Sequence, residues 1–82
     1  MKDFELSVHA KHMLMERGIP ETWVWWTLES PDRIVTGDDN NLHYFKTKSE
    51  FNGRVLHVVV NANVVPKKLV TVFFDRRARS HR

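Results

Sequence analysis

The sequence contains no cysteine, three glycines, three prolines and a single tyrosine among its 82 residues. Without cysteine there is neither a disulfide framework nor a thiolate zinc site, and the chain suits a reducing compartment. It has no Gly-rich phosphate loop, no HExxH pair and no Ser-His-Asp order to argue from. No apolar run approaches the ~20 residues that span a bilayer. The first residues, Met-Lys-Asp-Phe-Glu-Leu, carry acids where a signal peptide needs an apolar core. These absences lead us to expect a soluble cytoplasmic domain with no membrane partner. A chain of 9.7 kDa buries only ~60–65% of its unfolded surface, enough for one thin core and one domain.

What is present is unevenly placed. The net charge is +3, yet residues 1–65 sum to −2 and residues 66–82 to +5. Lys67, Lys68, Arg76, Arg77, Arg79 and Arg82 supply the basic end, opposed only by Asp75. Such an end on a mildly acidic body suggests a local anionic partner, phosphate by default, or else a solvated tail.

Helical spacing dominates the first third. Ser7 is a good N-cap, and Ala10, Met13, Leu14 and Arg17 fall on one helical face. Gly18 stops that helix in left-handed geometry, and Ile19 packs back on it. Pro20 then opens a second helix that ends near Ser30, because Pro31 disfavours helical geometry in the residue before it. The period next falls to two. Strands are expected over 33–36, 42–48, 54–61 and 68–75, with a turn-rich loop at 37–41 and a hairpin signal at Asn52-Gly53. The expected fold is α+β: an N-terminal helical hairpin packed on a mostly antiparallel sheet of about four strands. The expected segments are an N-terminal arm (1–6), the hairpin (7–30), the sheet (33–75) and a basic C-terminal tail (76–82).

Among chemistry-bearing residues, His9 and His12 are three apart on a helix, but no third ligand stands near in sequence, so no metal is expected. The fuller set is basic: His9, Arg17, Lys46, Lys48, Arg54, His57, Arg76 and Arg77. Lys46 and Lys48 share a strand face by alternation, and His57 lies inside the next strand. The sheet face away from the helices is free to carry such groups. This set suits RNA cleavage by attack of a ribose 2′-hydroxyl on its own phosphate, with no metal or other cofactor. Histidine takes or gives the proton, while arginine and lysine offset charge on the phosphorane. Each residue also has a plainer reading. His57 fits a half-buried strand spacer, Arg17 a helix C-terminus, and Lys46 and Lys48 edge charges that block aggregation. On the second helix Val24 and Leu28 face the core, which leaves at least one of Trp23, Trp25 and Trp26 exposed as an interface or base-stacking group, or else has one or two of them capping the thin core.

The chain resembles a known family through Ser7-Val8-His9-Ala10, Glu16-Arg17-Gly18-Ile19, Val24, Leu28, Pro31 and Asp32. Tyr44-Phe45-Lys46, Gly53-Arg54, Val58-Val59-Val60 and Val70-Thr71-Val72 continue the pattern, over roughly residues 5–77. That family is domain of unknown function 4258 (DUF4258), similar in fold to RelE-type toxins within the barnase-like group of metal-independent ribonucleases. The resemblance implies the toxin of a toxin–antitoxin pair, an endoribonuclease acting on RNA or ribosome-bound mRNA and restrained by an antitoxin protein. His9, Lys46, Arg54, His57 and Arg76 are then the catalytic candidates, and Arg17, Lys48, Arg77 and Arg79 the RNA-binding ones. Met13 stands where the family often has arginine. Trp25 and Trp26 stand where it is usually polar, which marks them as partner-binding. The competing expectation is a non-catalytic RNA- or protein-binding module using the basic end and exposed tryptophans, or a homodimer closed by them.

Overall fold

The computed structural model describes residues 4–75. Strand β1 (Phe4–Leu6) leads into helices α1 (Val8–Arg17) and α2 (Glu21–Glu29). Strands β2 (Arg33–Thr36), β3 (Leu42–Thr47), β4 (Val55–Asn61) and β5 (Lys67–Phe74) follow, with one 3-10 turn at Ser49–Phe51. Local chemistry sets these ends. The Ser7 hydroxyl accepts the Ala10 N–H at 3.0 Å, closing the first turn of α1. Gly18 sits at φ 63° and its N–H returns to carbonyls of α1, while Ile19 behind it is buried. Asn52 and Gly53 both take positive φ, turning the chain from β3 into β4.

The sheet has five strands in the order β1-β5-β4-β3-β2 and is mixed. β2 through β5 are antiparallel neighbours, whereas β1 runs parallel to β5, pairing Phe4 with Lys67 and Leu6 with Leu69. This corrects the four-strand expectation, since part of the supposed N-terminal arm is an edge strand. Parallel pairing is available there because the whole chain intervenes between β1 and β5.

Both helices lie on one face, α1 over β5 and β1, α2 over β4 and β3. Each packs chiefly on the sheet rather than on the other helix, so the pair is less a self-contained hairpin than a layer. Ala10, Leu14, Val24 and Leu28 meet Tyr44, Leu56, Val58, Val60, Leu69 and Val72 in a single core. Each fully buried aliphatic side chain contributes roughly 1.5–3 kcal/mol. No tryptophan on α2 is fully exposed; all three are half-buried against this core. Trp23 lies 4.7 Å from the Phe51 ring, Trp25 donates to Glu21, and the Lys48 ammonium stands over Trp26. The expected exposed tryptophan is therefore absent and the core-capping reading holds, because Phe51 in the 3-10 turn and Lys48 just before it cover Trp23 and Trp26.

Candidate active site on the open face of the sheet

Alternation sends every second side chain of the strands away from the helices. Opposite Tyr44, Leu56, Val58 and Val72, which face the core, stand Arg33, Val35, His43, Phe45, Val55, His57, Val59, Thr71 and Phe73. The pairings Arg33–Phe45, Phe45–His57 and His57–Phe73 line up across four strands. The His57 ring lies between Phe45 and Phe73, with centroids 4.3 and 4.6 Å away, and the Arg33 guanidinium covers the Phe45 ring at 4.6 Å.

A chain of hydrogen bonds crosses this row. His57 Nδ1 lies 3.0 Å from Asp75 Oδ2, and His57 Nε2 lies 2.8 Å from His43 Nδ1. His43 Nε2 in turn lies 3.2 Å from Asp39 Oδ1. Side-chain exposure along it is 19% at Asp75, lowest at 10% for His57, then 20% at His43 and 49% at Asp39. The half-buried Asp75 carboxylate orders the protons. Asp75 accepts His57 Nδ1–H, which leaves His57 Nε2 as acceptor for His43 Nδ1–H. His43 Nε2 then faces the Asp39 carboxylate, to which it donates when it carries a proton and against which it sets a lone pair when it does not. Burial pushes the His57 pKa below its ordinary value, against an upward pull from Asp75; the nearby His43 and Arg33 charges push the same way as burial.

The residues expected from the sequence are distributed differently. His57 is the one placed in this relay. Lys46 points to the helix side, where its ammonium bonds the Ser30 carbonyl and stands 3.7 Å from Asp32. Lys48 is on Trp26, and Arg54 donates to the Phe51 carbonyl and covers the Phe74 ring at 3.9 Å. Arg17 donates to the Val72 carbonyl, and His9 is exposed on α1. Lys46, Lys48, Arg54, Arg17 and His9 accordingly do not assemble with His57, since the sheet lies between. Arg76, Arg77 and Arg79 lie outside the described residues. Among the described residues, no three His, Asp or Glu side chains group as metal ligands.

Sequence reasoning missed His43, Asp75, Asp39 and Arg33. One signal was available: His43 and His57 fall on neighbouring strands, and Asp75 directly follows the next one. A carboxylate-backed pair of imidazoles on the sheet face away from both helices of a small α+β domain defines a candidate acid–base protein. The chain belongs to the family described as Domain of unknown function (DUF4258), whose sequence model matches residues 6–74. No curated protein and no solved structure matches it. No helix among the described residues is long and apolar enough to cross a membrane.

Proposed function

We propose that this protein is a small endoribonuclease of RelE/barnase-like type that works without a metal, the toxin of a toxin–antitoxin pair. The observation that carries the reading is the Asp75–His57–His43 relay, with its 2.8 Å contact between imidazoles. In this reading His43 Nε2 removes the proton of a ribose 2′-hydroxyl. The new O2′–P bond forms as the P–O5′ bond breaks, giving a cyclic phosphate and a 5′-hydroxyl. His43 Nδ1–H passes toward His57, whose charge Asp75 offsets, and the relay returns the proton to the departing oxygen. Arg33, one ring away from His57, is the nearest described cation on this face for the phosphorane.

The test is cleavage of a fluorogenic RNA by the purified chain and by His43→Gln, His57→Gln and Asp75→Asn. Cleavage by the wild type that falls about 10²-fold or more in His43→Gln, with folding retained, supports the reading. RNA left intact by the wild type, free and in a ribosome-programmed reaction, overturns it. RNA retained without product would instead favour the non-catalytic binding module.

A further inference from the structure

Asp39 is held by three donors. Its Oδ1 accepts the Asn41 N–H at 3.0 Å and lies 3.2 Å from His43 Nε2; its Oδ2 accepts from Asn41 Nδ2 at 3.2 Å. Those donors converge on one carboxylate at the exposed end of the relay. The Asn41 N–H, ahead of His43, holds the Asp39 carboxyl below its usual range. Gly37 shapes the same spot: a Cβ there would stand 2.5 Å from His43 Nε2 and 2.8 Å from Asp39 Oδ1. The loop backbone therefore closes tightly on the ring, and the open approach to Nε2 is the one that the Asp39 carboxylate fills.

A carboxylate and a phosphate present the same feature to such donors, two anionic oxygens on one centre. We propose that Asn41 N–H, Asn41 Nδ2 and protonated His43 Nε2 form a phosphate-oxygen site, and that Asp39 is a tethered stand-in for the ligand phosphate. This rests on the acid–base reading of His43 above, and applies to the state in which Nε2 has taken up its proton and donates it to a phosphate oxygen. Asp39 is then no fourth member of the relay. A phosphodiester or phosphomonoester must displace it, so the loop acts as an internal competitor that a correctly seated substrate overcomes. Asp38, next in sequence, adds a like charge with no contact to these donors among those described, and so supplies a control for simple electrostatics.

The experiment is titration of the full chain with inorganic phosphate at pH 6, following the His43 imidazole signals by NMR. Wild type, Asp39→Asn, Asp39→Ala, Asp38→Asn and Asp39→Asn/Asn41→Ala are compared, with backbone amide spectra reporting the fold. Asp39→Asn keeps the loop turn while removing the competing charge; Asp39→Ala vacates the site. Phosphate affinity about tenfold higher in both Asp39 variants, the scale of one charge-assisted hydrogen bond, is the expected result. Asp38→Asn should gain far less, and Asn41→Ala should cancel much of the gain. Equal gains in Asp39→Asn and Asp38→Asn, or no gain in either, overturn the proposal. Because phosphate binding is read without RNA cleavage, an inactive chain that binds phosphate this way retains the site and loses only the ribonuclease reading.

Discussion

His57 Nδ1 and Asp75 Oδ2 are 3.0 Å apart, joining the centre of the sheet to the residue just past its last strand. The Asp75 N–H also donates to the Val55 carbonyl at 2.8 Å, so the carboxylate sits on a backbone already tied to β4. The relay is thus anchored to β4 at its Asp75 end and most exposed at its Asp39 end. In the proposed ribonuclease reading, that asymmetry gives substrate contact to His43 and orientation to His57.

Burial lowers the His57 pKa, so in the acid range the unfolded chain binds a proton that the folded chain refuses. The unfolded value is about 6.5. Stability should therefore fall as pH drops below that value, and stop falling from this cause once pH passes the lower folded value. Urea unfolding from pH 7.5 to 4.5 checks it, comparing wild type with His57→Gln. A wild-type curve with the same slope as the variant would remove His57 as the cause.

Lys46 is expected to serve the fold and not the chemistry. Lys46→Ala removes the donor to the Ser30 carbonyl at the end of α2 and should cost about 1–2 kcal/mol. Denaturation reports that loss. RNA cleavage per folded molecule should stay within twofold or so of wild type, given that the sheet separates Lys46 from the relay. A large loss of cleavage at full folding would return Lys46 to the site.

Gly37→Ala forces a methyl group into the His43 ring and the Asp39 carboxylate. The cost of such overpacking is about 1–3 kcal/mol, unless the ring swings away. Either outcome disturbs the relay, so the His43 imidazole signals should shift while the core amide signals of β4 and β5 hold. Unchanged His43 signals would show that the loop yields instead.

Phe51 is fully buried under Trp23 and Phe74. Phe51→Ala should cost about 3–5 kcal/mol, a large part of what an 82-residue domain possesses. Trp25→Ala, on a half-buried ring whose N–H meets exposed Glu21, should cost far less. Thermal melts of the two variants separate a core-closing role for the aromatic layer from a partner-binding one. A Trp25→Ala loss as large as that of Phe51→Ala would show Trp25 closing the core.

The helices and strands were legible because each carries its own local signals. Ser7, Gly18, Pro20 and Pro31 bound the helices, and the drop in period to two marks β2 to β5. β1 was not, since three residues offer no period, and their strand form exists only through pairing with β5. The tryptophans were misjudged for a related reason. Helical spacing tells which way a side chain leaves the helix, but not that the turn after β3 brings Phe51 and Lys48 to meet it.

The site turned on register. A two-residue Asn52-Gly53 hairpin would set residue 48 opposite residue 57 and place Lys46, Lys48 and His57 on one face. In the fold the 3-10 turn at Ser49–Phe51 lengthens the connection, and His57 faces Phe45 instead. That shift is three residues, an odd number, so it moves both lysines to the opposite face from His57 and brings His43 to its side. The helix ends, the strand positions and a fold of helices on a sheet follow from residue order alone, because propensities, caps and periods act over a few residues. Which histidine meets which carboxylate follows only from the folded register, because side-chain parity across a sheet depends on the length of a turn.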